Sequence, residues 1–213
     1  MYELVDIDNW DRKEHYNFFK KLDIPQYNIC SNIDVTNLYN FVKDNNLSFY
    51  KTMIYSVTKA VNNISELKYR IKNESVIKYD TINPAFTMNT KNELFSFLTV
   101  DYTENFNLLY KKISDKVEDL KGKVSLDISE FNNNVVYLTC APWINFTSVS
   151  HAISISKIDS IPRITWGKFT KERGLLKMPL SIQVQHALVD GYHLGAFYNF
   201  LQNSIIEDLS DLI

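Results

Sequence analysis

Cysteine is nearly absent from this chain: Cys30 and Cys140 are the only two in 213 residues. Two cysteines build no disulfide framework and suit a reducing cytoplasm, where the protein is expected to reside. Histidine is also sparse, at four, with no H-E-x-x-H and no paired cysteines, so no dedicated metal site is expected. No apolar run approaches the length that spans a bilayer. Met1-Tyr2-Glu3-Leu4-Val5-Asp6 lacks the basic and apolar stretches of a signal peptide. Neither sign of charge dominates: a net charge of -2 leaves no footprint for nucleic acid or an anionic membrane. Glycine and proline number five each, and there is no internal repeat, low-complexity linker or shift in composition to mark a domain boundary.

What is present is an ordinary globular composition, 45% apolar and 23% charged, long enough for one domain or a tight pair of subdomains. Thirteen Phe and thirteen Tyr exceed what one modest core requires. They fit a ligand pocket or an oligomer interface, and equally a Tyr-rich surface.

Asn9-Trp10-Asp11 opens a helical pattern that Ile24-Pro25 breaks, and Tyr27 to Ile33 reads as a strand. Asp34 to Thr36 caps a helix carrying Leu38, Phe41 and Val42. Phe49 to Ile64 is the strongest helix, with Met53, Ile54, Val57, Ala60 and Val61 on one face. Val76 to Tyr79, Pro84 to Met88 and Leu94 to Val100 are strand candidates, and Phe106 to Leu120 is an amphipathic helix. Gly122 to Asn134 is a polar surface loop. Strands run from Val135 to Tyr137 and from Ala152 to Gln185 before a closing helix from Tyr192. This order suits an α+β two-layer sandwich of a mixed β-sheet covered by helices.

The segment Gln185-His186-Ala187-Leu188-Val189-Asp190-Gly191 carries most of the chemistry. It follows Leu180-Ser181-Ile182-Gln183-Val184, whose alternation places Leu180, Ile182 and Val184 on one face of a strand. It precedes Leu194, Phe197, Leu201 and Ile205, a stripe at helical spacing, with Asp190 placed to cap that helix. His186 thus sits where a strand hands over to a turn, a rigid mount from which an imidazole can take a proton from a hydroxyl or thiol. Spacing alone also admits a hydrogen-bonded strand-end histidine or, less readily, half of a metal site.

The string "PLSIQVQHALVDGYHLGAFYNFLQ" resembles the signature region of the type A chloramphenicol acetyltransferases, approximately PLxxQVHHAVCDGFH. The family shares a fold with the catalytic domains of dihydrolipoyl acyltransferases. "NWDRKEHYNFF", "FYKTMIYSVTKAVN", "APWINFTS" and "ITWGKF" resemble further blocks of the family, in its order and spacing, from about residue 5 to residue 206. The resemblance implies a single acetyltransferase domain over 1–213 that works as a trimer. No cofactor is bound, and acetyl-CoA is the co-substrate.

On this resemblance His186 is the general base of a ternary complex, with no acyl-enzyme, so Ser148 and Cys140 are not needed as nucleophiles. The oxyanion donor, a serine in the family, falls on Thr139, which by itself reads as an ordinary strand threonine. Asp190 is implied to pair with Arg12 of the W-x-R motif in a buried ion pair that holds the active-site turn. Thr165 matches a threonine that holds a water near the transition state. The acceptor pocket is implied to use Phe19, Tyr27, Thr87, Phe95, Tyr137 and His151, and acetyl-CoA to meet Trp143 and Lys168. CoA has no local motif here, and taken by itself Lys168 reads more readily as a solvated lysine than as a contact to a CoA phosphate.

The chain departs from the pattern chiefly around the acceptor. Phe19 stands for a tyrosine, Tyr137 for an asparagine, and Ser148-Val149-Ser150-His151-Ala152 for S-F-x-L-N. Gln185 replaces the first histidine of the doublet and Val189 the cysteine before Asp190. The base histidine and its supporting pair are kept while acceptor contacts drift; the function the resemblance implies is 3-O-acetylation of chloramphenicol. The alternatives are the same chemistry on another small hydroxylated acceptor, or a non-catalytic binding trimer. A dihydrolipoyl transacetylase is disfavoured, since no lipoyl module or flexible linker is present.

Overall fold

A computed structural model of the chain describes residues 1–127, 132–154 and 158–207. The larger sheet has the order β2 (Gln26–Asp34), β10 (Leu175–Gln185), β8 (Arg163–Gly167), β7 (Val135–Ala141), β5 (Asn83–Asn89), β6 (Phe95–Thr99), and β9 (Thr170–Glu172) pairs with β10. β7 runs parallel to both β5 and β8, and the other pairings are antiparallel, so the sheet is mixed. A smaller antiparallel sheet joins β1 (Tyr2–Leu4), β4 (Ser75–Tyr79) and β3 (Tyr69–Lys72). Five α-helices complete the described residues: α1 (Lys13–Phe19), α2 (Thr36–Asp44), α3 (Phe49–Asn63), α4 (Phe106–Leu120) and α5 (Gly191–Glu207). This is the expected α+β architecture.

α3 is the central helix and is buried nearly all round, not on one face alone. Its polar residues are satisfied internally: Thr52, Ser56 and Thr58 donate to carbonyls one turn back. Ser48 caps its start, Asn105 caps α4, and Asp34 accepts from both the amide and the hydroxyl of Thr36 ahead of α2. α3 and α5 pack on each other and against the sheet face formed by Phe86, Leu138, Ile164, Trp166, Leu180 and Ile182. These residues belong to one contiguous hydrophobic cluster.

Three expectations are corrected. The first helix spans only Lys13–Phe19, because tight three-residue bonds from Lys21 and Leu22 close it well before Pro25. β7 continues past Tyr137 to Ala141, where Pro142, lacking an amide hydrogen, ends it. β10 is covered on both faces, since Ser181, Gln183 and Gln185 are as buried as their apolar neighbours. The cover on the polar face is the segment after β7. Asn28 donates to the Val149 carbonyl at 2.8 Å, and the His151 amide donates to Gln183 Oε1 at 3.0 Å. Of the strands expected between Ala152 and Gln185, the described ones begin at Arg163; residues 155–157 lie outside the described residues, as do 128–131 of the expected 122–134 loop. β3 and β1 had no sequence reading: each is too short to show a period.

Candidate active site

β10 ends at Gln185, whose carbonyl accepts from the amides of Leu188 and Val189 and so folds the next residues into a tight turn. His186 is the first residue of that turn, and its amide donates to the Pro25 carbonyl at 2.8 Å. The imidazole stacks on Phe19, with centroids 3.8 Å apart and planes 13° from parallel, and tilts against Tyr27 at 4.4 Å. Nδ1 is buried without a hydrogen-bond partner. It lies 3.3 Å from Asp190 Oδ1, but off the hydrogen-bonding direction. Since 32% of the side chain is exposed, the accessible part of the ring is the opposite edge, which carries Nε2.

The turn is held by Arg12, which is itself almost fully buried. Its Nε donates to the Ala187 carbonyl at 3.0 Å, and Nη2 to the His186 carbonyl at 2.8 Å and to Asp190 Oδ1 at 2.6 Å; Nη1 pairs with Asp190 Oδ2. Hydrogen bonding to this guanidinium holds the Asp190 carboxyl below the usual carboxylate range. Asp190 therefore serves Arg12, and the helix cap expected of its carboxylate is not made. Tyr27 Oη is buried and unpartnered, and burial together with the nearby Asp190 charge pushes its pKa up to about 12.

A second group of the expected residues gathers on the polar face of the sheet. Register places Thr139 beside Thr165, Thr165 opposite Ser181, and Ser181 opposite Cys30, so their side chains share one row. Thr165, only 3% exposed, has its hydroxyl 2.9 Å from His151 Nε2. Burial, with Arg163 adding to it, lowers the pKa of His151 and favours the neutral ring. Tyr137, one step along β7, lies under the Arg163 guanidinium at 5.3 Å. Thr87 sits on β5, its carbonyl accepting from Tyr50, and Phe95 opens β6 with its ring half exposed. Trp143 is 70% exposed just beyond β7, and Lys168 is exposed after β8, its amide donating to the Ile144 carbonyl.

These groups do not meet within one chain. His186 lies five residues beyond Ser181 along the chain, about 17 Å at strand rise, and β7 is two strands away, a further displacement of about 10 Å. Phe19, Tyr27, Arg12 and Asp190 surround His186, while Thr139, Thr165, His151 and Tyr137 stand well apart from it. A groove of about 620 Å³ opens beside the turn, bordered by Pro25, Gln26, Gln185 and Asp159, but His186 does not line it.

Sequence reasoning missed several contributors. The Pro25 carbonyl receives the His186 amide; in the sequence, a proline ahead of β2 signals only the end of a helix. Gly167 permits the close crossing of the 144–146 segment: a Cβ there would lie 2.6 Å from the Ile144 carbonyl oxygen and 2.9 Å from the Phe146 ring. His193, three residues after Asp190, accepts the Asp190 amide through Nδ1 at 2.9 Å, a spacing that helix-capping rules make legible.

A mixed sheet under a central helix, with a histidine locked at the end of an inner strand, is the fold this chain shares with solved acetyltransferases. The chain belongs to the chloramphenicol acetyltransferase family, whose model matches residues 1–202. It is 32% identical over 203 residues to chloramphenicol acetyltransferase 3 of Escherichia coli, covering 94% of this chain and 95% of that relative. A solved chloramphenicol acetyltransferase superposes with a TM-score of 0.88 at 26% identity, covering 96% of this chain and all of that one. A probable dihydrolipoamide acetyltransferase from Listeria monocytogenes, at 16% identity and a TM-score of 0.65 over 91% of this chain and 89% of that one, shares the fold.

Proposed function

We propose that the chain is a chloramphenicol O-acetyltransferase: one cytoplasmic domain, residues 1–213, that moves the acetyl group of acetyl-CoA to the drug's 3-hydroxyl and so confers resistance. The observation that carries this reading is the His186 ring. Its Nε2 edge is open, one face rests on Phe19, and its turn is fixed by Arg12 and Asp190. In the ternary complex His186 Nε2 takes the proton as the acceptor oxygen attacks the thioester carbonyl. The tetrahedral oxyanion is stabilised by the Thr139 hydroxyl, with a water held at Thr165. Collapse expels the CoA thiolate, and the imidazolium returns its proton to sulfur, giving CoA-SH and the acetyl ester. Trp143 offers an exposed apolar platform for CoA, and Lys168 a cation for its phosphates.

The distance between His186 and Thr139 supports a homotrimer with sites between subunits, because a base and an oxyanion donor must both lie within about 3 Å of the reacting atoms. In this arrangement one protomer presents His186 and its neighbour presents Thr139 and Thr165, with Phe19, Tyr27, Thr87, Phe95, Tyr137 and His151 forming the acceptor pocket.

The test is thiol release from acetyl-CoA with and without chloramphenicol. The wild type is expected to release CoA only with the drug, and His186→Ala to lose about 10²- to 10⁴-fold in rate. Absence of drug-dependent release by the wild type would reject chloramphenicol as the acceptor. One observation favours a second reading, another small hydroxylated acceptor: His151 brings a polar ring, bonded to Thr165, into the acceptor wall. Release with such an acceptor and none with the drug would select it.

A further inference from the structure

We propose that His193 is a positioning residue of the active site, holding the Asp190 amide while Arg12 holds its carboxylate, and thereby fixing the turn that aims His186. An aspartate preceding a helix ordinarily turns its carboxylate onto the amides of the first helical turn. Here that carboxylate is taken by Arg12, and the other half of the capping arrangement remains: the third helical residue reaches back to the cap residue's own amide. The residue that does so is His193, whose Nδ1 accepts from the Asp190 amide at 2.9 Å.

The geometry fixes the tautomer. With Nδ1 accepting, the ring hydrogen sits on Nε2, which lies 3.9 Å from Glu66 Oε1 on the short 3-10 turn Ser65–Lys68, beyond hydrogen-bond reach. Behind the Arg12–Asp190 pair lies a cavity of about 440 Å³ lined by both residues together with His193, Glu66 and His15. Asp190 borders this cavity, and its amide is held there by the His193 bond while its carbonyl accepts from the Leu194 amide at 3.1 Å. If Asp190 swings, the Arg12 fork follows, and the carbonyls of His186 and Ala187 lose their donors.

The proposal rests on the acetyl-transfer reading only for its kinetic arm. His193→Ala and the larger apolar His193→Leu are expected to lower kcat by about 10- to 100-fold, with KM for acetyl-CoA and acceptor within about twofold, because the base is misplaced while the binding surfaces remain. His193→Gln, whose amide oxygen at this position can accept the same bond, is expected to recover to within about threefold of wild type. Hydrogen exchange at the Asp190 amide, read by NMR, should accelerate in the Ala and Leu variants and stay slow in the Gln variant. If either apolar variant keeps its kcat, if Gln is as slow as Leu, or if exchange at Asp190 is unchanged, the proposal is overturned. Should His193→Ala fail to fold, the Leu and Gln variants decide. A wild type that releases no CoA would reject the acceptor assignment, while the exchange experiment would still judge His193.

Discussion

Arg12 spends four hydrogen bonds on one turn, two to the Asp190 carboxylate and two to the His186 and Ala187 carbonyls. Removing it leaves a partly buried carboxylate uncompensated and two carbonyls without donors. Arg12→Ala is expected to lower unfolding stability in urea by about 3 kcal/mol and to depress activity with it. His151 supplies a pH-dependent test. Its folded pKa lies below the ordinary histidine value, so as pH falls past about 6.5 the unfolded chain takes up a proton that the folded chain resists, and stability declines. Above that range both states are neutral and the group contributes no pH dependence. The difference in Tm between wild type and His151→Leu should therefore shift against the wild type from pH 7.5 to pH 5. A constant difference would show that the ring is not held neutral.

Among the elements, β8 and the segment crossing it are fitted backbone against backbone at Gly167. Because the obstacle is the Ile144 carbonyl and not the end of a flexible side chain, Gly167→Ala must displace the strand or the crossing segment. A cost of about 1–3 kcal/mol by thermal or urea unfolding is expected. The smaller sheet is tied to the larger by Arg70. This fully buried side chain donates to the carbonyls of Leu67, Tyr69, Asn133 and Val135, and burial lowers its pKa to about 9. A buried cation is costly to desolvate, and here the four carbonyls that accept from the guanidinium offset that cost.

For the whole molecule, the separation of His186 from Thr139 gives the most discriminating prediction. Chains carrying His186→Ala and chains carrying Thr139→Ala should each be nearly inactive. Unfolded together and reassembled, they should regain on the order of a quarter of wild-type activity, since in the proposed trimer every mixed assembly contains one interface with both residues intact. No recovery in mixtures shown by native mass spectrometry to exchange subunits would place the site within one chain.

Much of this molecule could be read from neighbours along the chain. The Asp34–Thr36 start of α2, the spans of α3 and α4, the apolar stripe of α5 and the alternation of β10 are local patterns, and local patterns survive in a single sequence. The family resemblance likewise named Arg12 and Asp190 as partners across 178 positions, and they meet. Other features are settled only by folding. The burial of both faces of β10, the 2.9 Å bond between His151 and Thr165, and the use of Asp190 by Arg12 at the expense of its helix cap all depend on which surface the chain lays over which. So does the distance between His186 and Thr139. Sequence order sets which side chains exist, but strand register and layer packing set how far apart they stand, and that separation is a property of the sheet as a whole.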